Sequence, residues 1–376
     1  MTNPIKKQLH IEEPLSVTAA MLARQGFILF QPIFKKLIWG GVRVAYFKGL
    51  KRLDADIGES WEISDLEGDV SVVDNGPLEG LSLDELIGAY GERLLGEAVV
   101  RRFGERFPLL IKLIDAADDL SVQVHPDDRL AVERHGSWGK TEMWYVIQAE
   151  EGASIYSGFD PAKLTGGALP EELAEESVEA LIGGPEESFS LASMAGILRR
   201  YDVKEGDAFF LPAGRVHAIR RGCFVAEIQQ TSNITYRIYD YDRTDKQGHK
   251  RELHIAEAKE AINLEANLSD TSRIEYKPQS NEPVILVRCP YFTTRLIKLE
   301  ERWTRYADDL DSFIIYMCIA GSALLLDNNN AAIRLEQGQT ILIPAATSHI
   351  IFMPEEPLTL LEIYWEDTSA ESLADR

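Results

Sequence analysis

The phrase Gly206-Asp-Ala-Phe-Phe-Leu-Pro212-Ala-Gly-Arg-Val-His217 returns near the end of the chain as Gly338-Gln-Thr-Ile-Leu-Ile-Pro344-Ala-Ala-Thr-Ser-His349. Both copies read G-x5-P-x4-H. A glycine turn, a short apolar run and a proline that stops it spell a strand, a turn and a second strand, with a histidine at a fixed offset. A chain that carries this unit twice is expected to build two similar β units. Its 376 residues, 45% of them apolar, provide for one large or two ordinary domains.

Strand signals are dense around both copies. Residues 109–114, 120–124, 143–147, 224–229, 313–319, 323–326 and 358–364 are rich in β-branched and aromatic side chains. Helices are subordinate. Ser82 to Leu95 reads as one, with Ser82 as N-cap, Glu85 three residues on, and apolar positions 83, 86, 87, 90 and 94 at helical spacing. A second, over 170–182 within an insertion at about 165–182, carries Glu171, Glu172, Glu175, Glu176 and Glu179 and reads as a solvated amphipathic helix. Polar residues over 263–282 mark a domain boundary. The expected organisation is an N-terminal extension over 1–27, a first domain over 28–265 and a second over 283–368. The mixed polar composition of 1–27 suggests a disordered or accessory segment.

Composition removes several function classes. With 39 Lys+Arg against 61 Asp+Glu the net charge is −22, which disfavours attraction to nucleic-acid backbone or anionic membrane. Three cysteines (Cys223, Cys289, Cys318) cannot form a disulfide framework, and none has zinc-finger spacing, so a reduced, cytoplasmic setting is expected. No apolar run is long enough for a membrane span and no signal peptide is evident. No P-loop or GxGxxG opens a helix, which disfavours nucleotide binding.

The seven histidines contain one chemically useful arrangement. In Ser121-Val-Gln123-Val-His125, a strand puts Gln123 and His125 on one face. Glu142 opens another strand-like run, and His217 ends the first G-x5-P-x4-H unit. Two imidazoles, a carboxylate and an amide oxygen make a mixed N/O set suited to Zn²⁺, with positions left for water or substrate. His349 has the same offset in its own unit, but no Gln-x-His, His-x-His or Glu partner precedes it over 284–337, so it reads as structural. His10, His135, His249 and His254 read as surface residues or as partners of other site groups.

The repeated unit resembles the second motif of the cupin barrel. The fold class expected from it is mainly β: a bicupin, two jelly-roll barrels with a few inserted helices. Seven further blocks in order carry a second resemblance: Trp39-Gly40-Gly41, Gly58 to Glu62 (GESWE), Pro108 to Asp115 (PLLIKLID), Leu120 to Asp128 (LSVQVHPDD), Gly139 to Tyr145 (GKTEMWY), Val203 to Ile219 and Glu227 to Arg243. Together they are similar to type I mannose-6-phosphate isomerases, in a short bacterial form because the helical insertion is brief.

That resemblance implies a zinc-dependent aldose–ketose isomerase, with one Zn²⁺ per chain, acting on mannose 6-phosphate and fructose 6-phosphate. It carries the zinc ligands onto Gln123, His125, Glu142 and His217, and an active-site arginine onto Arg237. The partner implied is a small hexose 6-phosphate, in a monomer or homodimer.

Moving a carbonyl between C1 and C2 requires removal of a C–H proton and stabilisation of an enediolate, hence a metal or cations and a proton carrier. Glu227 and Lys140 are the candidates for the carrier. Lys112, Lys140 and Arg237 are the cations expected to meet the phosphate, and Arg237 suits phosphate, enediolate or both. Arg220 and Arg221 add two cations beside the His217 hairpin and bear on substrate preference. Two rival readings are a catalytically silent sugar-phosphate-binding or regulatory bicupin and a cupin metal oxygenase, whose Fe(II) sites favour three histidines.

Overall fold

The computed structural model describes residues 19–51, 56–164, 176, 178–180, 184, 196–244 and 247–368. The chain is mainly β, built from two pairs of antiparallel sheets, as the repeated unit predicts. In the first pair, a seven-stranded sheet runs Arg273–Ile274, Ala208–Leu211, Glu142–Ala149, Cys223–Gln230, Leu109–Asp115, Ile57–Ile63, Ile33–Gly41. It faces a five-stranded sheet of Leu198–Asp202, Ser154–Phe159, His217–Ile219, Val122–Val124 and Tyr236–Tyr239. The second pair is a six-stranded sheet (Ile28–Leu29, Thr340–Ile343, Ile314–Ala320, Leu358–Tyr364, Thr293–Leu299, Val284–Arg288) and a four-stranded one (Trp303–Tyr306, His349–Pro354, Ser322–Asp327, Ala332–Glu336).

Why the central strands read as continuous apolar runs follows from what covers them. Strand side chains alternate between faces. Along Glu142–Ala149, Trp144 and Val146 point into the first barrel, while Met143, Tyr145 and Ile147 point outward. The outward set does not meet water. It packs on Ile315, Met317, Leu361 and Ile363, the outer face of the six-stranded sheet. Both faces are buried, so no polar alternation survives in sequence. The exceptions carry the information: Lys112, Glu142 and Glu227 are charged, almost fully buried, and fall on the inward parity of their strands.

The second barrel encloses its own core of Ile297, Ile314, Tyr316, Ile341, Phe352, Leu360 and neighbours. Its polar centre is Glu362, fully buried, which accepts a hydrogen bond from the Tyr316 hydroxyl at 2.8 Å and pairs with Arg295 and with Arg305 Nε at 3.0 Å.

Two expectations need adjustment, and a third falls largely outside the described residues. The helix expected over 82–95 starts as predicted, Glu85 accepting the Ser82 N–H at 2.8 Å, but it breaks at Gly91 into Leu83–Tyr90 and Glu92–Leu95. Gly91 has φ 45°, which the right-handed helix does not allow. Within 1–27, residues 19–25 form a helix whose Leu22 is buried, and Phe27 sits in the second barrel's core. Ile28–Leu29 then pair with Thr340–Ile343, so the N-terminal end of the described chain is woven into the C-terminal sheet. The acidic helix over 170–182 lies almost wholly outside the described residues.

Candidate metal centre and its cavity

Strand parity brings the predicted ligands together. Gln123 on Val122–Val124 is registered directly against His217, and His217 lies at the head of its own strand. Glu142 opens its strand on the facing sheet and points inward with Trp144. His217 Nε2 stands 3.4 Å from Glu142 Oε1, and His125 Nε2 stands 3.6 Å from Glu142 Oε2. The ligand atoms of His125, Glu142 and His217 all lie within 4.8 Å of one another, the one such buried group of His, Cys, Asp or Glu among the described residues.

Both imidazoles are oriented by the backbone. His125 Nδ1 lies 2.9 Å from the Ile234 carbonyl and His217 Nδ1 2.8 Å from the Arg215 carbonyl. A carbonyl can only accept, so each Nδ1 carries the proton and each Nε2 keeps its lone pair toward the centre, as metal-ligating histidines require. Burial holds His125 well below its ordinary pKa and His217 at about 3, so both are neutral. Gln123 presents Nε2 to His217 at 3.4 Å, while its Oε1 accepts from Ser121 at 3.2 Å. A half-turn of the amide exchanges these atoms and aims the oxygen at the cluster.

Glu142 shows most directly what the donors are suited to hold. It is fully buried, and neither carboxylate oxygen has a hydrogen bond. Burial raises its pKa to about 7 against the pull of Lys140. The Lys140 ammonium forms an ion pair with Oε2 at 3.0 Å and lies 3.1 Å from His125 Nε2. A cation thus already stands where the donors converge. Two imidazole lone pairs, a fully buried carboxylate and an amide oxygen fit a divalent metal of Zn²⁺ type.

The centre opens into a cavity of about 300 Å³, lined by Gln123, Lys140, Glu227, Lys112 and Arg237 among others. Of the eight residues singled out from sequence, the structure places Lys112, Gln123, Lys140, Glu227 and Arg237 on the cavity wall and His125, Glu142 and His217 in the adjoining cluster. Glu227 Oε1 accepts the Trp144 indole N–H at 3.0 Å and Oε2 lies 3.0 Å from Lys112. Burial would raise the Glu227 carboxyl, but Lys112 and Lys140 outweigh it and hold the pKa at about 2. Lys112 is buried; Glu227 and Glu59 on either side of it, the latter at 3.6 Å, override desolvation and push its pKa up. Arg237, half-buried, donates from Nη1 to the Glu252 carbonyl at 2.9 Å. Burial lowers its pKa, and the nearby positive charge of Arg251 lowers it further.

Sequence reasoning missed three participants and left His254 open as a surface residue or a partner of another site group. Trp144 and Glu59 sit inside quoted blocks, but nothing in their spacing assigns them to Glu227 and Lys112. Arg251 shares the cavity wall with Arg237 and is anchored on Asp240. His254 accepts the Arg237 backbone N–H on Nδ1 at 3.2 Å, a local contact across an irregular connection. Arg220 faces away from the centre, pairing with Asp119 at 2.8 Å and donating to the Tyr156 hydroxyl at 2.6 Å, and Arg221 is exposed. Among the described residues, no helix is long and apolar enough to cross a membrane.

Comparisons with known proteins point to one family. The family described as phosphomannose isomerase type I, catalytic domain, matches residues 28–150. A Bacillus subtilis protein named "Probable mannose-6-phosphate isomerase GmuF" is 34% identical over 320 residues, 85% of this chain and 93% of its own length. A mannose-6-phosphate isomerase of Streptococcus mutans is 38% identical over 266 residues, covering 71% of this chain and 77% of the relative. The crystal structure of the mannose 6-phosphate isomerase from Bacillus subtilis superposes with a TM-score of 0.75 at 33% identity, over 90% of this chain and 99% of the other.

Proposed function

The chain belongs to the type I phosphomannose isomerase family, and from that premise we propose that it interconverts mannose 6-phosphate and fructose 6-phosphate at a zinc centre held by Gln123, His125, Glu142 and His217. The observation that carries the reading is the fully buried Glu142 carboxylate flanked by two imidazoles whose lone pairs are turned toward it. Bound zinc would supply Lewis-acid polarisation of the sugar's carbonyl and hydroxyl oxygens.

The chain's own residues provide the rest. The substrate phosphate, a dianion, is met at the cavity wall by the guanidiniums of Arg237 and Arg251, which suit phosphate oxygens better than the compensated ammonium of Lys112 does. Glu227, ionised in the free protein, accepts the proton from C2 of the aldose and returns it to C1, while the hydroxyl proton passes from O2 to O1. Lys140 and Arg237 face the negative charge of the enediolate between those steps. Lys112 and Trp144 hold the Glu227 carboxylate in one orientation. The ligands belong to the portion over 28–265, and the portion over 283–368 is a non-catalytic second barrel.

A coupled assay on zinc-replete protein should show fructose 6-phosphate formed from mannose 6-phosphate, and metal analysis should find about one zinc per chain. Protein that takes up zinc and binds the sugar phosphate without converting it would replace this reading with that of a silent binding protein.

A further inference from the structure

The first part, 263–272, of the polar stretch whose composition marks a domain boundary is bonded to the turn that carries His217. Asn267, fully buried, accepts the Val216 N–H on Oδ1 at 2.8 Å and donates from Nδ2 to the Gly214 carbonyl at 2.7 Å. It therefore grips the chain on both sides of Arg215, whose own carbonyl fixes the His217 ring at 2.8 Å. Arg215, also buried, reaches back to the same stretch, donating to the Ser269 hydroxyl at 2.6 Å and to the Ser272 hydroxyl. The Gly214 carbonyl takes a further bond from the Asn263 backbone N–H at 3.0 Å.

The packing leaves no slack. A Cβ on Gly158, beside the turn, would stand 2.5 Å from the Asn267 carbonyl oxygen, and one on Gly214 would stand 2.7 Å from Asn263 Cβ. Both glycines have positive φ, 72° and 85°. Two positions thus give up their side chains to bring the 263–272 stretch against the hairpin.

We infer that Asn267 is a positioning residue for the metal centre: by holding Gly214 and Val216 it fixes the carbonyl that sets the His217 imidazole, and so the direction of Nε2. The inference rests on the reading of His125, Glu142 and His217 as metal ligands. Partners that orient a ligating imidazole typically contribute about 10- to 100-fold in metal affinity.

The test compares Asn267→Ala with Asn263→Ala. Asn263 caps the same short helix, its Oδ1 accepting the Ala266 N–H at 2.8 Å, but its side chain makes no hydrogen bond to the hairpin. Zinc affinity is measured by chelator competition at a temperature where each variant is folded, and the visible spectrum of the cobalt(II)-loaded protein reports ligand geometry. We expect Asn267→Ala to bind zinc about 10- to 100-fold more weakly with an altered cobalt spectrum, and Asn263→Ala to lose thermal stability with zinc affinity unchanged. Should Asn267→Ala not fold, Asn267→Asp keeps an acceptor for Val216 but sets a carboxylate oxygen against the Gly214 carbonyl, and is expected to weaken zinc about 10-fold. Unchanged zinc affinity and spectrum in the folded variant, whatever its melting temperature, would overturn the inference alone. Wild-type protein that takes up no metal would overturn the reading of the centre and this inference with it.

Discussion

Glu362 stands in the second barrel where Glu227 stands in the first. Glu227 is registered against Lys112 on one side and Trp144 on the other; Glu362 is registered against Arg295 and Tyr316. Each carboxylate takes a hydrogen bond from its aromatic partner and a charge from its basic one. The two differ in access: Glu227 lines the cavity, whereas Glu362 is closed in by Arg295, Arg305 and Tyr316.

Opposite consequences follow for substitution. Glu362→Ala leaves two guanidiniums without their buried partner and should cost about 3–5 kcal/mol of stability, read from urea unfolding, with zinc uptake intact. Glu227→Gln also takes a buried partner from Lys112, which keeps Glu59 at 3.6 Å, so some stability is lost; its distinguishing effect is on turnover, with zinc still bound while kcat falls at least about 100-fold. Full turnover in Glu227→Gln would remove it from the proton path.

The two repeat histidines should also separate. Glu142 is registered against Leu211, the residue before Pro212; its counterpart, registered against Ile343 before Pro344, is Ile314. An isoleucine cannot ligate, so His217→Ala should lose metal and activity together and His349→Ala neither. Metal loss in the His349 variant would show that the second barrel holds the ion.

Metal affinity should follow one proton. Burial raises Glu142 to about 7, so below that pH a proton competes with the metal for its carboxylate; His125 and His217, held neutral by burial, add no competition there. Zinc affinity, followed by chelator competition, should rise about tenfold per pH unit toward pH 7 and then level off. A slope of two or three protons would show that the imidazoles are charged in the metal-free protein.

Arg237→Lys keeps the charge and loses the fork. If the guanidinium serves the phosphate and the enediolate, kcat/KM for mannose 6-phosphate should drop about 100-fold, with KM raised and zinc content unchanged. A variant with wild-type kinetics would return the phosphate to Lys112 and Lys140.

What sequence could reveal here divides along physical lines. Gln123 and His125 share a face because strand parity is local, and Glu142 and His217 were marked by a charged residue and a histidine at strand ends. The pairing of Lys112 with both Glu59 and Glu227 is set by register among three strands, which no local pattern encodes. The continuous apolar runs announced burial without saying that Met143 and Ile147 meet Leu361 and Ile363 of the other half. Gly91 ended a helix whose apolar spacing runs on past it, a backbone event hidden from periodicity. The 263–272 stretch looked like part of a domain boundary because its residues are polar, yet Asn267 is polar in order to bond the backbone it abuts.

The pairing of Ile28–Leu29 with Thr340–Ile343 has a consequence for the barrel that holds no ligands. The second barrel forms the rear wall against which the ligand-bearing sheet is pressed, and a strand from early in the chain is stitched to one from late in it across that wall. Cutting the chain at the polar stretch would strand an edge segment from one half and bare an oily face on each. The barrel that carries Ile314 where the first carries Glu142 thus serves the site as its wall.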